Sequence, residues 1–226
     1  DDPEAKAIYA NIQTTLDTVN AVVRLSNVTT LAEVPETQAS LGRLIVNDIN
    51  IFFLDVGQNR VYKYQLSAPG ASTLRTLDVN PVLMRKGDEV SNIVVRELVD
   101  ILWMPGGGLR KVEFFLTLEG GGNLVEYDPL ATPGLRALTV RDSASWRKPK
   151  AAAGYSGNFY VVDTQQSRIL KYEPSAKGYD TPPTDWLKAP TDLTNVVDMA
   201  IDGDIYLLGL DGRIQRFRGG QSLPFP

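Results

Sequence analysis

An all-β fold is what this sequence predicts: a β-propeller of about four blades, incomplete or open, preceded by an N-terminal α-helix. Three observations predict it. A phrase made of an apolar strand, a polar turn and then x-apolar-x-x-aromatic recurs four times, ending at Tyr64, Tyr127, Tyr172 and Phe217. Each copy follows a further apolar run, so the repeat holds about four strands, as a blade does. After residue 42 no amphipathic helical period survives, which removes α/β and helical architectures.

Residues 1–25 form the expected helix. Asp2 can cap it, Pro3 suits the first turn and Glu4 complements the dipole. Ile8, Ile12, Leu16, Val19 and Val23 make one apolar stripe. Two uses of that stripe are open: packing on the neighbouring domain, or the tail of a stalk from upstream sequence. Residues 26–42 are a connector. The chain starts at Asp-Asp-Pro, which reads as a piece of something longer.

The blades fall at about 43–90, 91–142, 143–190 and 191–226. Their turn-closing residues, Arg60, Asn123, Arg168 and Arg213, are spaced by 63, 45 and 45. Innermost strands are expected at 43–48, 98–105, 150–157 and 196–203. Ala151, Ala152, Ala153 and Ala200 suit the crowding at an axis. The aromatic anchors should pack between blades. A β-sandwich is the main rival, but it leaves the shared aromatic offset without a cause. The last blade lacks a visible outer strand, and a fourth strand should begin near "GGQSLPFP". An open arc would expose sheet faces and edges, so self-association is expected of it.

Composition removes several functions. With no His and no Cys, Ser-His-Asp and Cys-His catalysis, disulfides and Cys- or His-bound metals are excluded. The net charge of −4 and the scattered basic residues argue against nucleic-acid binding, and "RKPK" (147–150) reads as a solvated loop. No run approaches the ~18 apolar residues of a membrane span. The glycine triplets at 106–108 and 120–122 lack the Lys-Ser/Thr and helix of a phosphate loop. "GYSGN" is no nucleophile elbow.

The phrase Asp-x4-Arg-[Val/Ile]-x-Lys-Tyr resembles the NHL-type propeller repeat. Asp55/Arg60 and Asp163/Arg168 fit it. The second copy has Thr117 and Asn123 at those places, and the fourth has Gly209 in a turn one residue shorter. Each Asp/Arg pair is expected to tie its own loop. "ELVDILWMPGG", "GNLVEYDPL", "ILKYEPSAKGYDTPPTDWL" and "VVDMAIDGDIYLLGLDGRIQRF" resemble the C-terminal propeller region of large membrane-anchored proteins from Chloroflexi-type genomes. Those proteins carry an N-terminal phosphatase-2C-like domain. The resemblance implies a bacterial signalling protein, an extracytoplasmic propeller, and a segment without the phosphatase residues.

Ligands of propellers usually meet the face near the axis where the innermost strands begin. Arg43, Asp100, Lys150 and Asp198 stand there, with Asp100 and Asp198 in one slot. Converging carboxylates could bind a cation or basic ligand, or simply pair with neighbouring bases and cap turns. Trp103, Trp146 and Trp186 could line one pocket and stack on a sugar or aromatic ligand, or fill the core between blades. The candidate ligand-binding residues are therefore Arg43, Asp100, Trp103, Trp146, Lys150 and Asp198. No catalytic residue, metal or cofactor is expected. The expected function is a non-catalytic ligand-sensing or protein-interaction module, with an unknown protein or small molecule as partner. The alternatives are a metal-dependent propeller hydrolase of the lactonase kind, which needs acidic or amide side chains converging on the axis, and a purely structural scaffold between domains.

Overall fold

The computed structural model describes residues 2–25, 28, 30–34, 38–75, 80–109 and 111–225. Two compact units, Asp1–Glu33 and Val34–Pro226, are taken in turn. In the first, helix α1 runs over Pro3–Val19. Asp2 accepts a hydrogen bond from the Glu4 amide at 3.0 Å, and Pro3 fills the first turn. The helix stops earlier than the stripe does: Asn20 caps it, Ala21 turns to φ +52° and Val23 lies outside. No helix residue is buried, so the stripe Ile8, Ile12, Leu16, Val19 stays exposed. Part of the connector (26–27, 29 and 35–37) lies outside the described residues. Among the described residues no helix is long and apolar enough to cross a membrane.

The second unit is the expected propeller arrangement of four blades. Blade one is β1 (Leu41–Asn47), β2 (Asn50–Asp55), β3 (Arg60–Gln65) and β4 (Val82–Arg85). A small hairpin, β5 (Glu89–Val90) and β6 (Ile93–Val94), follows. Blade two is β7 (Leu98–Met104), β8 (Phe114–Glu119), β9 (Leu124–Tyr127) and β10 (Leu135–Val140). Blade three has β11 (Pro149–Tyr155), β12 (Asn158–Asp163) and β13 (Arg168–Tyr172). The chain then lays β14 (Gly178–Tyr179) parallel on β10 of blade two before β15 (Thr184–Asp185) completes blade three. Gly178 permits that step. Its φ is +129°, and a Cβ there would stand 2.9 Å from the Thr139 carbonyl oxygen. Blade four is β16 (Val196–Ile201), β17 (Ile205–Gly209), β18 (Ile214–Arg218) and β19 (Gln221–Leu223). The last blade thus has its outer strand after all, reached through the tight Gly219–Gly220 turn with both residues at positive φ.

Alternation along the strands gives each blade two apolar faces. One faces the next blade and the other the preceding one. Phe52, Leu54 and Val61 of blade one meet Ile101, Phe115 and Val125 of blade two. Leu102, Leu116 and Leu124 meet Ala152, Phe159 and Tyr172. Tyr160, Val162 and Ile169 meet Met199, Leu207 and Phe217. The anchoring aromatics follow this rule in three blades: Tyr172 and Phe217 are fully buried in the second and third seams, and Tyr127 packs at the edge of the first. Tyr64 of blade one instead stacks on Phe53 of its own sheet, centroids 5.8 Å apart.

A shared turn device fixes one end of blades one, two and three. Asp55 accepts amide hydrogens from Ser40, Gly57 and Gln58, and Asp163 accepts them from Arg147, Lys148 and Gln166. Both carboxylates are fully buried. Asp163 holds the segment entering the innermost strand more closely than it holds the turn-closing arginine, since Arg168 stands 3.8 Å from it. In blade two the slot is filled by Glu119, not Thr117. Glu119 pairs with Leu98 as Asp55 pairs with Leu41, and it accepts from the Arg96, Gly121 and Asn123 amides. The longer side chain compensates for a turn one residue shorter. In blade four Gly209 holds the slot, and Asp211 caps only its own turn.

Candidate functional site

The strand register explains what reaches the axis. Each innermost strand carries a bulge at its second residue: Gly42, Val99, Lys150 and Val197. The slot after the bulge holds Arg43, Asp100, Ala151 and Asp198. Lys150 is therefore one residue short of the slot expected for it. It is exposed, beside Lys148 and Thr164 at the surface, and exerts the weakest attraction felt by Asp100.

Arg43, Asp100 and Asp198 do converge, and they satisfy one another. The Arg43 guanidinium donates to the carbonyl oxygens of Ile101 at 3.3 Å and Ala152 at 3.0 Å. It pairs with Asp100 at 3.2 Å and with Asp198. One side chain of blade one thus reaches all three other blades. The buried Asp100 also accepts the amide hydrogens of Ile101 (2.8 Å) and Ala152 (2.7 Å). Burial pushes its carboxyl up to about 6, while Arg43 and the two amides pull the other way. Among the described residues no group of three or more His, Cys, Asp or Glu is placed to hold a metal ion. The axial carboxylates face a guanidinium.

The three tryptophans do not meet. Trp146 is core in the second seam, its indole N–H donating to the Tyr172 hydroxyl at 2.9 Å. Burial holds that hydroxyl up at about 12. Trp186 packs against the third seam and Trp103 against the first. Trp103 lines a cavity.

That cavity, of about 350 Å³, opens between blades one and two. Phe52, Trp103, Phe115 and Tyr127 wall it. Phe52 and Phe115 stack at 4.1 Å, and the Phe52 ring lies 6.4 Å from Trp103 and 6.2 Å from Tyr127. Polar groups stand at its margin. Glu113 accepts from the Trp103 indole N–H at 2.9 Å, Glu126 is held by Arg136 at 2.8 Å, and Asp128 caps the following turn. Lys63 donates to the Tyr127 hydroxyl at 3.2 Å and lies 5.1 Å from that ring's centre. The rim carries Val112 and Leu130, two loop residues largely in solvent. These loops join β7 to β8 and β9 to β10, at the opposite ends of the strands from the axial slot. Phe52, Phe115 and Tyr127 were written in the repeated phrase itself, but their convergence needs the strand pairing and the seam.

No known family matches the sequence, and no curated protein does. Several solved structures are similar in fold. A chain of the nidogen/laminin complex is 12% identical, with 81% of this chain and 62% of that one covered and a TM-score of 0.51. The computationally designed Ika4 protein is 9% identical over 85% of this chain and 99% of its own, TM-score 0.48. A catalytically inactive virginiamycin B lyase from Staphylococcus aureus, solved with quinupristin, is 15% identical over 90% of this chain and 62% of its own, TM-score 0.48. At such identities the likeness concerns the fold alone.

Proposed function

We propose that this chain is a non-catalytic binding module that takes a small molecule or a partner's side chain in the cleft between blades one and two. The observation that carries this reading is the aromatic cavity itself. It has four rings, a few polar groups at one margin and an apolar rim, which is the make-up of a small-ligand pocket. The axis is a poorer candidate, because Asp100 and Asp198 are already paired with Arg43 there. A hydrolase of the lactonase kind would need those carboxylates turned to a metal instead. The buried turn carboxylates support the NHL-like reading of the repeat. With it we propose a place in a larger, membrane-anchored bacterial signalling protein beside a phosphatase-2C-like domain, which the full-length gene decides.

Aromatic faces beside Glu113 favour a ligand that is both aromatic and cationic. Saturation-transfer NMR with benzyltrimethylammonium tests this. Binding is expected to the native chain, to weaken in Glu113→Gln and to vanish in Trp103→Ala. No binding, or binding indifferent to both changes, would count against the cleft.

A further inference from the structure

The seam of blades three and four holds a second cleft, of about 360 Å³, at the end of the strands that carries the axial slot. Blade three gives it Lys148, Lys150 and Thr164, and blade four gives it Asn195, Val197 and Leu210. The bulge that takes Lys150 off the axial slot leaves it on this wall beside Lys148. The aromatic cleft and three others on the chain each have at least two carboxylates on their walls. This one has none, in a chain of net charge −4. The nearby carboxylates are engaged elsewhere. Asp163 is buried and accepts three amides, Asp192 accepts the amide and hydroxyl of Thr194 at 3.0 and 2.7 Å, and Asp100 and Asp198 face Arg43. Lys148 and Lys150 are exposed and make no ion pair among the described residues.

We propose that this cleft binds a phosphate group, free or carried by a small organic molecule. Two unpaired ammonium groups on one wall favour a divalent anion over a single carboxylate. A phosphate monoester carries a charge of about −1.5 to −2 at neutral pH and three acceptor oxygens. The cleft offers matching donors: the two ammonium groups and the side-chain amide of Asn195, which has no hydrogen-bond partner among the described residues. Its walls are fixed before any ligand arrives. The Lys148 carbonyl accepts the Thr164 amide at 3.0 Å and the Thr164 hydroxyl at 3.1 Å, and the Lys148 amide donates to Asp163 at 3.0 Å. Across the seam the Asn195 carbonyl accepts the Leu210 amide at 2.8 Å. Such preorganisation lowers the cost of binding. Val197 and Leu210 give an organic remainder an apolar surface. The site is separate from the aromatic cleft, which lies at the other end of the strands.

Titration calorimetry with phenyl phosphate and with inorganic phosphate tests this. The native chain is compared with the Lys148→Gln/Lys150→Gln variant, changed at two exposed positions, and with Lys177→Gln, an exposed lysine of the same stretch of chain outside the cleft. Binding to the native chain is expected to weaken about tenfold or more in the double variant and to stay unchanged in Lys177→Gln. Phenyl phosphate binding tighter than inorganic phosphate, and weakened by Leu210→Ala, supports the site with an organic ligand. Equal binding of the two supports it with the free ion. The proposal is overturned if neither compound binds, if the double variant binds as the native chain does, or if Lys177→Gln loses as much as the double variant.

Discussion

Blades three and four present the same kind of face to two different surroundings. Val162 and Ile169 of blade three are wholly buried against blade four, whereas Leu208 and Ile214, their equivalents, are about two-fifths exposed. The residue types are the same and the pairing register is the same. What differs is the neighbour. Burial in a repeat fold is therefore a property of the seam, and nearest-neighbour contacts carry the stability of each unit.

The largest expected effect follows from that contrast. Ile169→Ala should cost about 2–5 kcal/mol, the usual price of a cavity in a packed core. Ile214→Ala, at a face left in solvent, should cost less than about 1 kcal/mol. Urea denaturation of the two variants checks both, and equal costs would break the contrast.

Next comes the turn device. Asp163→Ala leaves three amides of blade three without their acceptor and should cost about 2–4 kcal/mol. Asp211→Ala in blade four, where the carboxylate only caps its own exposed turn, should cost under about 1 kcal/mol. Thermal melts of the two variants rank them.

The axis gives a pH-dependent prediction. The folded Asp100 carboxyl sits near 6, above its ordinary value of 3.8, so the folded chain binds this proton more tightly than the unfolded one. Its contribution to stability is complete below about pH 4 and is lost as pH rises through 6, by at most about 3 kcal/mol. Stability measured from pH 4 to 7 should therefore fall in the native chain relative to Asp100→Asn. A constant difference between the two would contradict the assignment. Trp146→Phe should cost at least about 1 kcal/mol for the lost bond to the Tyr172 hydroxyl, read from the same denaturation curves.

Much of this was legible in the sequence. The recurring aromatic at Tyr127, Tyr172 and Phe217 marked the seams, and Ala151 to Ala153 marked an innermost strand. Four features were not legible. The bulges shift the axial slot by one residue, which is why Ala151 stands where Lys150 was expected. The shortened turn of blade two hid Glu119, which stands four residues before Asn123 where Asp55 and Asp163 stand five before their arginines, so aligning the copies sets Thr117 in its place. The strand Gly178–Tyr179 pairs with a different blade from its sequence neighbours, and no local pattern announces that. The role of Arg43 was hidden as well. It depends on four strand ends meeting at one axis, and sequence spacing gives no measure of distance across that axis.

The central claim, that the burial of a blade face is set by its seam, is met most directly by urea denaturation of Ile169→Asp beside Ile214→Asp. The account predicts that Ile169→Asp, which buries a carboxylate in the third seam, loses most of the folding stability, while Ile214→Asp stays within about 1 kcal/mol of the native chain. Equal losses in the two variants, or an Ile169→Asp chain as stable as the native one, would contradict it.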